Sequence, residues 1–166
     1  MKKIILSFVA LSFSFGVYCQ TIVEAAVSNK DFSTLVTALK AADLVDALSG
    51  EGPFTVFAPN NAAFSKIDSE TLGSLLKPEN VKALTNILTY HVVSGKLMAS
   101  DVASALKSGY GKVELTALNG QTITARSKGG KIYLEDSQGN MSEIIATDVA
   151  GSNGVIHVIS SVVMPE

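Results

Sequence analysis

Two imidazoles, His91 and His157, and one thiol, Cys19, are the groups in this chain best suited to act as bases or nucleophiles near neutral pH. General acid–base chemistry needs such groups positioned together in a pocket. The two histidines lie far apart in the sequence, and none of the patterns that carry such chemistry surrounds them. No His-Glu-x-x-His occurs, so a helical zinc-protease site is excluded. No Gly-x-Ser-x-Gly elbow and no glycine-rich phosphate loop ending in Gly-Lys-Ser/Thr is present. Aspartates and glutamates are scattered, whereas calcium ligands cluster. The expectation is therefore no catalytic residues, no metal and no cofactor. A hydrolase pairing His91 or His157 with a carboxylate is the enzymatic alternative.

The surroundings of His157 point to a packed role. Counting by two along "NGVIHVIS" puts Val155 and Ile159 on its face and Ile156, Val158 and Ser160 on the other. Both faces are largely apolar, so the strand is expected to be covered on both sides. An imidazole there must pair its polar atoms with neighbours, because an unpaired buried group costs about 1–3 kcal/mol. His91, in "TYHVV", is also expected on a strand beside apolar residues, and the same reading applies.

The first half of the chain reads as helices and the second as strands. Ile22, Val23, Ala26 and Val27 make one short apolar face. Asp31 is a plausible N-cap for a helix carrying Phe32, Leu35, Val36 and Leu39. A short helix over 43–48 is stopped by Gly50-Glu51-Gly52-Pro53. "FTVFAP" (Phe54 to Pro59) reads as a buried strand. Asn60 caps a short helix with Ala62, Ala63 and Phe64. Helices follow at 69–77 and 79–89, with Pro78 tolerated in a first turn. From Tyr90 the period moves toward two. A strand at 90–93, a short helix at 101–106 capped by Ser100, and strands over 112–118, 121–127, 131–136, 142–149 and from 155 are expected. Asn119-Gly120 is a two-residue hairpin signal, and Asn153-Gly154 begins the last strand. Helices before strands argue an α+β domain rather than alternating βαβ units.

Size and composition fit this reading. The chain has 166 residues, 47% of them hydrophobic, enough for one sizeable core. Lys2-Lys3 followed by the apolar run Ile4–Val17 reads as an export signal over residues 1–19, leaving one domain at 20–166. The run is short against the roughly 20 residues needed to span a bilayer. Cys19 is either removed with the leader or lipidated, and only lipidation would attach the protein to a membrane. As the sole cysteine it forms no intramolecular disulfide. Removing Lys2 and Lys3 takes the net charge from −2 to −4. With no basic run, nucleic acid is not an expected partner. Asn140-Met141-Ser142 fits the N-glycosylation pattern, read here as chance because the short lysine-bearing leader and the lack of disulfides look bacterial.

Three segments, "FTVFAPNNAAF" (54–64), "YHVVSGKL" (90–97) and "SNGVIHVISSVVMPE" (152–166), resemble the signature segments of the fasciclin, or FAS1, domain, in the family's order and spacing. The resemblance spans nearly all of the chain after the leader. It implies an α+β wedge, a compact β-sandwich packed against several short helices. It also implies a secreted or surface-attached, non-catalytic adhesion module. By the same resemblance, Tyr90 and His91 match a pair linked to adhesion. Asp148-Val149 match an Asp-Ile pair implicated in integrin recognition in some animal relatives. Phe54, Pro59, Asn60, Asn153, Gly154 and His157 match the structural motif. This chain departs at Ala146-Thr147, where one such motif has Glu-Pro, and at Val149, which argues against integrin binding. Ser160 stands where Asp is frequent and Asn60 where Thr is frequent; Asn caps equally well.

The leading expectation is an exported adhesion module, secreted, periplasmic or on the cell surface. Its partner would be a surface protein or a polysaccharide, with self-association adding avidity. The alternative is a carrier of a small apolar ligand, a pigment or a lipid, with Met98, Met141 and Met164 lining an adaptable surface.

Overall fold

The computed structural model describes residues 20–166. The leader over 1–19 and Cys19 lie outside the described residues. Helix α1 (Ile22–Ser28) begins with a reciprocal cap: Glu24 N–H donates to the Thr21 hydroxyl and Thr21 N–H to the Glu24 carboxylate. Asp31 is not the cap of the next helix. Asn29 lies nearer the first free amides, and its side chain accepts from Asp31 N–H in a 3-10 turn (Lys30–Phe32). Helix α2 (Ser33–Ala41) then starts without a cap of its own. Asn61 supplies one from a distance: its side-chain oxygen accepts from Thr34 N–H while its amide donates to the Lys30 carbonyl.

Helix α3 (Val45–Ser49) leads into strand β1 (Phe54–Pro59) and helix α4 (Asn61–Phe64). Asn60 caps α4 as expected, accepting from Ala63 N–H at 2.9 Å. Helix α5 (Ser69–Leu75) and a 3-10 turn (Pro78–Asn80) precede helix α6 (Val81–Tyr90). Here the sequence expectation needs correcting. Tyr90 is the last residue of α6 and His91 its C-cap; only Val92–Ser94 form the strand, β2. The β-branched Val92 and Val93 suggest an earlier start, but the apolar face of Leu84 and Leu88 keeps the helix on the core to its end.

Helix α7 (Ala99–Ser108) starts two residues earlier than expected. Its cap position is Met98, whose N–H donates to Asp101; Ser100 lies inside the helix. Strands β3 (Lys112–Thr116), β4 (Thr122–Lys128), β5 (Lys131–Glu135), β6 (Met141–Gly151) and β7 (Gly154–Ile159) complete the chain. The Asn119-Gly120 hairpin forms, but through three residues. A turn closed by Gly120 N–H on Ala117 is followed by Gly120 at φ 84°, and Asn119 does not adopt positive φ.

The strands form one sheet in the order β2-β1-β7-β6-β5-β4-β3. It is rolled nearly into a barrel rather than split into the expected sandwich. The ends meet through a Val93–Ala117 bridge and a 2.8 Å bond from Leu118 N–H to the Val92 carbonyl. The long β6 makes the roll. Its first three residues pair with β5 and the rest with β7, and two register shifts, at 144/146 and 146/149, bend it between them.

Strands β1 and β7 run parallel at the centre. Ala58 and Ile156 face a core shared with α1, α2, α3 and α6, whereas Phe57 and Ile159 face the barrel interior with Ile123, Ala125 and Leu134. Both faces of β7 are thus covered, as its sequence implied. Gly154 is required where these strands converge, because a Cβ there would collide with the Phe54 carbonyl. Asn153 joins two elements, α1 and the end of α3, to this turn. Its side-chain oxygen accepts from Ile22 N–H at 3.0 Å, and its amide donates to the carbonyls of Leu48 (2.8 Å) and Gly50 (2.9 Å). Asn153→Ala should lose about 2–3 kcal/mol of unfolding free energy, since several buried or half-buried partners lose their bond at once. Urea unfolding measures this; a loss below about 0.5 kcal/mol would contradict the assignment.

Candidate functional site

The two imidazoles are 2% and 1% exposed, and each uses both nitrogens inside the protein. His91 Nδ1 lies 2.8 Å from the Ile87 carbonyl, which can only accept, so Nδ1 carries the proton; Nε2 then accepts from Val163 N–H at 3.2 Å. The ring fastens the end of α6 to the C-terminal segment. Burial pushes its pKa down from the usual 6.5 to about 4. His157 is the opposite tautomer. Nε2–H donates to the Leu97 carbonyl at 2.7 Å, and Nδ1 accepts a longer bond, 3.4 Å, from Asp148 N–H. Its ring stacks on Phe57 at 5.7 Å between centroids. Thr55 supports the same segment, donating to the Gly95 carbonyl (2.7 Å) and accepting from Leu97 N–H (2.9 Å). Nothing in the residue pattern marks Thr55 beyond its place in a strand.

Tyr90 is also fully buried. Its phenol donates to the Thr122 carbonyl at 3.0 Å, and burial, with the charge of Asp136 second, pushes its pKa up. Tyr90 and His91 are therefore both members of the buried interior. Neither histidine has a nitrogen free to take a proton from a substrate. Among the described residues no group of three or more His, Cys, Asp or Glu is placed to hold a metal.

Asp148 and Val149 are at the surface, on the bulge of β6. Asp148 adopts φ 59°, the left-handed region, and its carboxylate accepts from Ala99 N–H at 2.9 Å, at the start of α7. A negative charge suits that end of the helix dipole. The backbone of the same residue reaches His157, so Asp148 couples the buried ring to the exterior. Around it, residues 145–150 are all exposed, including Ile145 at 49% and Val149 at 39%. β7 pairs with one edge of this stretch; among the described residues no strand pairs with the other.

The interior offers little room. One apolar cavity beside Ile22 and Leu39 measures about 20 Å³, and another beside His91 and Met164 about 10 Å³. Small-molecule pockets usually span about 300–1,000 Å³, so a pigment or lipid would have to lie in an open surface groove. The three methionines do not gather around one cavity: Met164 lines the smaller, Met141 is exposed on β6, and Met98 precedes α7.

The fasciclin domain model matches residues 30–165. The chain belongs to the fasciclin domain family. It is 51% identical over 145 residues to protein sll1483 of Synechocystis, covering 87% of this chain and 73% of that one. It is 31% identical over 155 residues to the cell surface glycolipoprotein MPB83 of Mycobacterium bovis, covering 90% and 63%. A FAS1 domain pair from the insect cell adhesion molecule Fasciclin I shares the fold, with a TM-score of 0.75 at 19% identity, over 86% of this chain and 50% of that one. No helix among the described residues of this fasciclin domain is long and apolar enough to cross a membrane.

His157→Gln should lower unfolding free energy by about 1–3 kcal/mol, read from urea denaturation; an unchanged midpoint would refute the structural assignment. His91 gives a pH dependence of defined sign. Its ring takes up a proton near pH 6.5 when unfolded and near 4 when folded, so between these values the unfolded state holds more protons. Stability is full above pH 6.5 and falls as pH drops toward 4, by about 3 kcal/mol in total. Urea titrations across that window should show the decline, and His91→Gln should flatten part of it.

Proposed function

We propose that this fasciclin domain is an exported, non-catalytic adhesion module that holds a surface protein or a polysaccharide through its exterior. One observation carries the reading: the half of β6 that bears Asp148 and Val149 is exposed, apolar and unpaired on one edge, while the imidazoles that could do chemistry are buried and fully bonded. Exposed apolar groups on a sheet edge suit contact with another molecule. Membership of the fasciclin family and the fold shared with an insect cell adhesion molecule support it. Export rests on the leader read over residues 1–19, and lipidation of Cys19 would keep the module on a membrane. Self-association would raise avidity for a small domain.

Ile145→Lys combined with Val149→Lys tests the surface. Both side chains are exposed, so the melting temperature should hold within a few degrees. Attachment of cells displaying the variant, or affinity for a partner captured from the cell envelope, should fall about tenfold or more, the loss expected for an apolar contact at the centre of an interface. Unchanged attachment in this variant would remove β6 as the contact surface.

A further inference from the structure

We infer that the groove between the end of α7 and the β4–β5 hairpin binds an acidic polysaccharide, with Tyr110 as the platform on which a sugar ring stacks. The inference rests on the adhesion reading for its context and names a partner class for a second surface, away from β6. The groove holds about 400 Å³; Leu106 and Ile132 are part of its lining, Lys107 and Tyr110 stand on one side and Ser127 and Gly130 on the other.

Tyr110 is the first argument. It is fully exposed and adopts φ 54°. It occupies the position after the helix C-cap, where glycine is preferred because a Cβ is unfavourable in the left-handed region. The bond from Gly111 N–H to the Leu106 carbonyl, 2.7 Å, closes that motif. The preceding position is also reserved for glycine, since a Cβ at 109 would collide with the Lys112 carbonyl. A large aromatic ring in a glycine position, with nothing to bury it, weakens the fold locally. Strain of this kind, held at one exposed residue, points to use.

Charge is the second. Five of the cations of residues 20–166 fall between positions 107 and 131, with Glu114 the sole acid among them, on a domain whose net charge is negative. Lys112, Arg126 and Lys131 are paired with Glu114, Glu135 and Glu143. Lys107 on one wall and Lys128 in the hairpin of the other take part in no ion pair among the described residues. One unpaired cation on the groove wall, Lys107, and a second beside it in the hairpin, Lys128, match the sparse charge of a polyuronate. Nucleic acid typically engages about 6–10 phosphate contacts. A membrane surface would ask for a broad apolar face, whereas here Leu106 is buried and one ring protrudes. An aromatic face flanked by hydroxyl, backbone and ammonium groups matches a sugar's apolar face and its acidic substituents.

The test is calorimetric titration of the purified protein with alginate, a polyuronate, with neutral dextran, and with vesicles of phosphatidylglycerol. Alginate should bind in a salt-sensitive manner and the other two should not. Tyr110→Gly should weaken alginate binding at least tenfold while the melting temperature holds or rises by a few degrees, a combination that mere damage to the fold would not give. Tyr110→Trp should retain binding, and Lys107→Glu with Lys128→Glu should abolish it. Absence of alginate binding at low salt, equal binding to vesicles, or indifference to Tyr110→Gly would overturn the inference. Those results would leave the β6 reading standing, because Ile145 and Val149 are untouched; loss of attachment only in the β6 variant separates the two.

Discussion

A ring buried in a protein must find partners for both nitrogens there, and His157 finds them on two segments that would otherwise drift apart. Its donor side holds the carbonyl of Leu97, just ahead of α7, and its acceptor side holds the amide of Asp148 at the bend of β6. Phe57 stacks against it from the parallel neighbour strand. The bend of β6 lets one strand serve both β5 and β7, and His157 pins that bend from the inside. The Asp148 carboxylate on α7 repeats the link from the outside.

The parallel pair β1 and β7 divides the interior. Each strand alternates between the helical core and the barrel core, which is why "FTVFAP" and "GVIHVI" carry apolar residues in both registers. His91 performs for the C-terminal segment what His157 performs for α7, through the opposite tautomer. The protein thus employs its two imidazoles as neutral cross-links between remote backbone groups. The lowered pKa of His91 follows from its burial, which outweighs the opposite effect of the Ile87 bond.

Much of this was legible from residue order. Helical spacing, the Asn60 cap, the buried character of β1 and β7 and the burial of His157 all follow from local chemistry. Tyr90 and His91 read as strand residues because β-branched valines follow them directly and no Gly or Pro marks the helix end. The caps at Asn29 and Asn61 could not be told from other asparagines, since Asn61 acts on a helix far back in the chain. The bend in β6 was invisible because Asp148 adopts positive φ only under tertiary constraint. Tyr110 carried no signal beyond its neighbouring glycines. Local periods decide which residues turn inward; they say little about which distant backbone atom a polar side chain will meet.

Rolling the sheet until β2 meets β3 has a further consequence. Terminal strands of an open sheet are templates on which identical chains can stack into fibrils. Here the seam occupies part of both terminal edges, and the open stretch on β6 is kinked by a left-handed aspartate that a flat incoming strand cannot follow. Molecules crowded together can touch along that stretch without propagating a cross-β ribbon.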